Sequence, residues 1–355
     1  MTIYWLLLTF PMIAALANSG RKLDFSPRVV PYLLLFWVFY NVVSGLRYDT
    51  GGDWYTYNLM VENISYYDFS EALNETDLLF GATAYVSTRL GLGLYGVNFV
   101  CSALLSWGVL KLAWRLPDPW ISVAASFPYL MIVVGYGYIR QAAAIGLVLV
   151  AICHLSDRRL IRTFVYLAMA ALFHIGAVVV LPLIGFALMR RNFLAMIGIG
   201  IVAMILYFFV LAAQLESFQF GYVEQGYSSG GAFVRLLMSL IPAVLFIILQ
   251  KRIKMNELDH AVWMGFSLAT VACFAALFIS ASSTAVDRVG LFFLPIQVFM
   301  FGHLSGILGS GNKAIARFVT FGLMAYIFLI QYVWLTEADH AFLWVPYKWI
   351  LQSTG

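Results

Sequence analysis

What constrains this chain most is a succession of long apolar runs that follow one another with little between them. They fall at approximately 3–19, 29–46, 94–112, 119–135, 139–155, 163–173, 175–189, 193–213, 234–250, 260–280, 288–308 and 315–334. A helix needs about 20 apolar residues to cross a hydrocarbon core of roughly 30 Å. Lipid offers no water to a free N–H or C=O, so a spanning segment must close its hydrogen bonds within itself, as an α-helix does. Only 11% of the residues are charged, whereas a soluble domain carries about 25%. The chain therefore reads as an all-α polytopic membrane protein with about 12 membrane segments, a single integral membrane domain over residues 1–355. Its apolar N-terminus lacks the positive n-region of a secretory signal and is expected to stay as the first membrane helix.

The two short runs flank Phe173-His174-Ile175-Gly176 and lie between the basic clusters Arg158, Arg159, Arg162 and Arg190, Arg191. Cytoplasmic loops are enriched in Lys and Arg. If both clusters are cytoplasmic, the segment goes in and comes back as a short-helix hairpin turning near His174; one straight span of about 27 residues is the alternative. With the hairpin and both termini outside, 15 of the 21 Lys and Arg fall on the cytoplasmic side. The straight span would move Arg190, Arg191 and the Lys251–Lys254 cluster outside, so the hairpin is preferred. Two outer loops result, at about 47–93 and 214–232. The first holds a stretch near 78–90 suited to an interfacial amphipathic helix; the second is polar, aromatic and glycine-rich. Residues 344–350 carry an interfacial aromatic signature and are too short to span.

The remaining outer cations are Arg47, Arg89, Arg140, Arg235, Arg288 and Lys348. Arginine stays charged everywhere and presents a planar fork of donors that matches phosphate oxygens. Arg140, Arg235 and Arg288 each open an inward-running helix after a Gly- or Ser-rich stretch, where free N–H groups and the dipole favour an anion. Singly, each would equally serve as an interfacial anchor; together with Arg47 they outline an outer anion site. His174 is either a satisfied core residue or a group for phosphate contact or proton transfer. Asp49 and Asp53, around Gly51-Gly52, either order their loop by pairing with Arg47 or act on a hydroxyl as a positioned base. As a metal pair they are weak, and no metal or other cofactor is expected. Cys101, Cys153 and Cys273 lie in apolar runs without disulfide or zinc spacing. No nucleotide P-loop, GxSxG elbow or HExxH occurs, and no basic tail or patch suggests nucleic acid.

Arg47-Tyr48-x-x-Gly51-x-Asp53-x-x-x-Tyr57 after the second helix resembles the opening motif of the EpsG-type, Wzy-like bacterial exopolysaccharide polymerases. So do Ile139-Arg140-Gln141-Ala142 at a helix start, Phe173-His174 followed by Ala177 and Pro182, Asp287-Arg288, and Val345-Pro346-Tyr347. The resemblance covers roughly residues 30–350 and departs at Ile175-Gly176, where such proteins usually carry a polar or basic residue. It implies a GT-C-like fold in the bacterial cytoplasmic (inner) membrane with an outward-facing active site. The substrates it implies are undecaprenyl-diphosphate-linked oligosaccharide repeats, joined to one another, with a flippase and a chain-length regulator as further partners beside membrane lipids.

On this reading Arg47, Arg140 and Arg288, with Arg235 second, hold diphosphate. Asp53 is the first candidate base, then His174, then Asp49, while Tyr57, Gln141, Tyr222 and Tyr227 line the glycan path. Two rivals remain: a transporter or flippase of lipid-linked sugars, and an O-antigen ligase-like transferase. Transporters place charge near the midplane within repeated architectures, whereas these charges lie at helix ends and no repeat is apparent.

Overall fold

The computed structural model describes residues 1–19, 30–189, 231–280 and 282–352. Apolar runs become helices at nearly the expected bounds: α1 (Thr2–Asn18), α2 (Val30–Gly45), α6 (Gly93–Ala113) and α8 (Ile139–Ser156). Later in the chain come α11 (Ala232–Leu249), α12 (Glu257–Ala276) and α15 (Lys313–Glu337). The helix α7 (Pro119–Gly137) is also long and apolar enough to cross a membrane, with a wide turn over Phe127–Val134, whereas α1 and α2 are shorter. Among the described residues six helices are long and apolar enough to cross a membrane, or seven if a bent pair counts as one. That pair, Ser283–Phe293 and Pro295–Gly309, bends by 44° where Pro295 interrupts the helical ladder; the sequence suggested a single run over 288–308. It contains α13 (Ser283–Gly290) and α14 (Pro295–Gly309). The run 193–213 and most of the loop 214–232, with Tyr222 and Tyr227, lie outside the described residues.

At the centre, α7 and α8 are buried along almost their whole length. The contact of α6 with α8 is made backbone to backbone: a Cβ on Gly108 would sit 2.2 Å from the Gly146 carbonyl oxygen, and one on Gly146 2.2 Å from that of Leu104. Small residues permit such an approach between membrane helices, where packing rather than water drives association. Around this centre α1 packs on α7 and α15, and α14 on α7, α11 and α15.

Polar residues collect at the two ends of the bundle. At one end Arg115 forms a bidentate pair with Asp157 at 2.8 and 2.7 Å, and Ser156 donates to Asp259 at 2.9 Å. The segment 157–189 leaves this end as α9 (Leu160–Phe173), breaks at His174 in extended backbone, and re-enters through a tight 3-10 turn, Ile175–Val180, and α10 (Leu181–Met189). Phe186 and Ala187 line a cavity with Gln250, Lys251 and His260, on the helix that brings Asp259 to Ser156. Both legs therefore begin and finish at the same end, and His174 marks the turn at the other.

At that other end three short helices cap the bundle: α3 (Trp54–Ile64), α4 (Phe69–Glu75) and α5 (Leu78–Arg89). Residues 344–350 do more than anchor at an interface. Strands β1 (Arg47–Tyr48) and β2 (Lys348–Trp349) pair antiparallel, the Tyr347 hydroxyl donates to Val43 O at 2.8 Å, and Gly51 N–H donates to Leu343 O at 2.8 Å. The C-terminal motif is thus laced to the loop that follows α2.

Candidate functional site

Arg47 forms the floor of this end. It is 1% exposed, and its guanidinium donates to Ser44 O, Thr50 O, Asn98 Oδ1 and Tyr136 O at 2.5–3.2 Å, 5.0 Å from the Tyr136 ring centroid. Burial pushes its pKa down, because only neutral dipoles and ring faces replace water around it. The loop above it closes tightly: Gly51 has φ +114, and a Cβ there would lie 2.4 Å from Tyr136 O. Arg47 thus ties α2, the 49–53 loop and α7 together, with four of its five N–H donors spent on neighbouring oxygens and the side chain buried.

On this floor stands Asp53, just before α3. Its carboxylate makes no hydrogen bond among the described residues; the nearest cation is Arg288, with Nη2 4.0 Å from Oδ2. Burial raises the Asp53 pKa, and Arg288 and Arg140 pull it back in part. Arg288 itself stacks over the Tyr138 ring at 3.9 Å, and its guanidinium makes no hydrogen bond among the described residues. Its donors are the least committed of the four arginines. Gln141, one turn into α8, donates to the Arg288 carbonyl at 2.7 Å and so fixes α13 against α8, while its own Oε1 is buried without a hydrogen-bond partner.

Beside this pair, Arg140 Nη1 donates to Thr76 Oγ1 and Asp77 Oδ2, both at 2.9 Å. Its guanidinium carbon lies 5.8 Å from the ring centroids of both Tyr57 and Phe80. Nε of Arg140 is buried without a partner. His174 Nδ1 faces the same Asp77 oxygen at 3.6 Å. Burial raises the Asp77 pKa, but His174, Arg140 and the Ile175 N–H outweigh it and hold the carboxyl below its ordinary value.

The structure therefore brings Asp53, Arg140, Gln141, His174, Arg288 and Tyr57 to one end of the bundle and gives the other candidates different surroundings. Arg235 is in a bidentate pair with Asp287 at 2.8 and 2.7 Å, which spends much of its fork. Asp49, with φ +40, pairs with Lys348 at 2.6 Å at the rim, away from Arg47.

Asp77 is the group sequence reasoning passed over. It stood as one more acid in a polar loop, and its partners lie 63 and 97 positions further on. The only local signal is its place immediately before the apolar stretch beginning at Leu78.

These residues span nearly the whole chain, and a comparison with protein families spans it likewise: the model of the EpsG family matches residues 30–349. The chain belongs to the EpsG family. No curated protein and no solved structure matches it. Membership makes it an exopolysaccharide-polymerase-like bacterial membrane protein of polysaccharide biosynthesis, with several apolar helices suited to multiple crossings. The EpsG opening motif proves bipartite: Arg47, Tyr48 and Gly51 hold the backbone, whereas Asp53 and Tyr57 face Arg288 and Arg140.

Proposed function

We propose that this EpsG protein joins undecaprenyl-diphosphate-linked oligosaccharide repeat units at the outer face of the cytoplasmic membrane, as a glycosyltransferase of GT-C-like type. The observation that carries this reading is the open Arg288–Asp53 pair beside Arg140: an uncommitted guanidinium next to a carboxylate without a hydrogen bond. The positive-inside rule supports the outward orientation, since 15 of 21 basic residues then lie in the cytoplasm.

The acceptor sugar hydroxyl attacks the anomeric carbon of the donor chain. A glycosidic C–O bond forms, the bond from that carbon to the diphosphate oxygen breaks, and undecaprenyl diphosphate leaves with the electron pair. Asp53 takes the hydroxyl proton; its raised pKa makes it a better base than an ordinary carboxylate. Arg288 and Arg140 stabilise the charge that develops on the leaving group, their guanidinium groups already held beside it by Tyr138 and by Asp77. Tyr57 braces Arg140, and Gln141 keeps Arg288 in register with α8. Arg47 supports the site from beneath, and Arg235 acts through its pair with Asp287. A flippase delivers the repeats, and a chain-length regulator is the further partner expected.

In cells, Arg288→Ala and Arg140→Ala should each accumulate single-repeat lipid-linked oligosaccharide and make no long polymer. Normal chain lengths in the double variant contradict this site. Movement of lipid-linked substrate across reconstituted vesicles without bond formation would instead support the transporter rival, and transfer to an unrelated acceptor the ligase rival.

A further inference from the structure

Asp77 is the one acid of the site that this chemistry leaves without a task. It is 3% exposed and takes three contacts from two distant parts of the chain. Arg140 Nη1 donates to Oδ2 at 2.9 Å, His174 Nδ1 faces that same oxygen at 3.6 Å, and the Ile175 N–H donates to Oδ1 at 3.3 Å. The His174 ring is clamped on its other sides. It stacks on Phe292 with centroids 6.1 Å apart and planes within 11°. A Cβ on Gly176 would come within 3.2 Å of His174 Cδ2 and Nε2 and 2.9 Å of the Phe292 ring. Residues 175 and 176 thus serve the site through a backbone N–H on Asp77 and through the absence of a side chain beside the histidine ring. Nε2 makes no hydrogen bond among the described residues.

We propose that Asp77 is a positioning residue that anchors Arg140 and orients His174 on one carboxylate, so that the guanidinium and the outward edge of the imidazole together take the diphosphate of the lipid-linked donor. Arg140 meets Asp77 through Nη1 alone, whereas Arg235 meets Asp287 through both Nε and Nη2. Which imidazole nitrogen faces a ligand is set by what the other nitrogen meets. Asp77 at Nδ1 therefore turns Nε2 outward. Supporting groups of this kind, conserving the orientation of a contact residue, are commonly worth about 10- to 100-fold in function.

This inference rests on the polymerase reading, and its test separates the two. Turnover of purified full-length protein on a lipid-linked repeat is compared among wild type, Asp77→Asn, His174→Ala, their double variant, and Asp77→Asn combined with Arg288→Ala. Asp77→Asn should lower kcat/KM about 10- to 100-fold, with KM for the lipid-linked donor raised. In the His174→Ala background it should lose part of its effect, the rest still acting through Arg140, but it should multiply fully with Arg288→Ala, as expected for coupled residues and for independent ones. Binding of inorganic pyrophosphate, followed by calorimetry, should weaken in Asp77→Asn and His174→Ala alike. A full additional loss in the His174→Ala background, or unchanged pyrophosphate binding in folded Asp77→Asn, overturns the inference. Should Asp77→Asn not fold, Asp77→Glu keeps the charge beside Arg140 but displaces it by a methylene; wild-type turnover and pyrophosphate binding in Asp77→Glu would overturn it equally. A wild-type protein that binds pyrophosphate yet never extends a repeat defeats the polymerase reading and leaves the Asp77 comparison to be read from binding.

Discussion

Replacing Arg47 by lysine separates a structural arginine from a substrate-binding one. The guanidinium serves four acceptors drawn from α2, the 49–53 loop, α6 and α7, and is 1% exposed. Lysine keeps the charge, but its single nitrogen reaches at best two of these acceptors. Hydrogen bonds from a charged donor contribute about 1.5–3 kcal/mol each, so two lost bonds correspond to roughly 3–6 kcal/mol. The desolvation of the cation is the same in both proteins and largely cancels. At about 2–4 °C per kcal/mol in large domains, Arg47→Lys should lower the Tm of the detergent-solubilised protein by roughly 6–24 °C. Any loss of turnover should follow the unfolded fraction. Arg288→Ala is the contrast: a partly exposed pair at 4.0 Å is worth about 0–1 kcal/mol, so its Tm should hardly move while turnover collapses. Arg47→Lys with wild-type Tm and abolished turnover would refute this division and return Arg47 to the diphosphate.

Two further outcomes follow from the same geometry. Asp53 must be ionised to accept a proton, so turnover falls as pH drops through its raised pKa; Arg288 holds that value down, and Arg288→Gln should move the acid limb of the residual kcat/KM profile to higher pH, with an unmoved limb contradicting Asp53 as base. Gly51→Ala places a Cβ 2.4 Å from Tyr136 O at φ +114; left-handed strain alone costs about 1–3 kcal/mol, so a thermal scan should show clear destabilisation, and an unchanged Tm would mean the loop is not closed as described.

The membrane helices were legible because each is apolar for its full length, and a bilayer permits almost no other solution for such runs. The reversal at His174 was legible too, from the distribution of Arg158 to Arg191. The bend at Pro295 was not, since a proline inside an apolar run reads equally as a tolerated kink. Within the site, Arg140 and Arg288 could be picked out by residue type and by position at helix starts. What the linear chain hides is whether a donor is already spent. Arg47 is consumed by carbonyls, one of them 89 positions away, and Arg235 by Asp287, and neither is visible without the fold. Asp77 escaped for the converse reason: it is meaningful only through Arg140 and His174, which other elements bring to it. Tyr347 reads as an interfacial aromatic until β2 is seen to pair with β1.

The central claim, that the open Arg288–Asp53 pair beside Arg140 extends a lipid-linked glycan, is tested most directly by incubating the purified protein with an undecaprenyl-diphosphate-linked repeat unit alone and resolving the products by length. The account predicts a ladder of one-repeat increments without any nucleotide sugar, lost in Arg288→Ala and Asp53→Asn at unchanged Tm. A wild-type protein that leaves the repeat at its starting length, or a ladder undiminished in both variants, would contradict it.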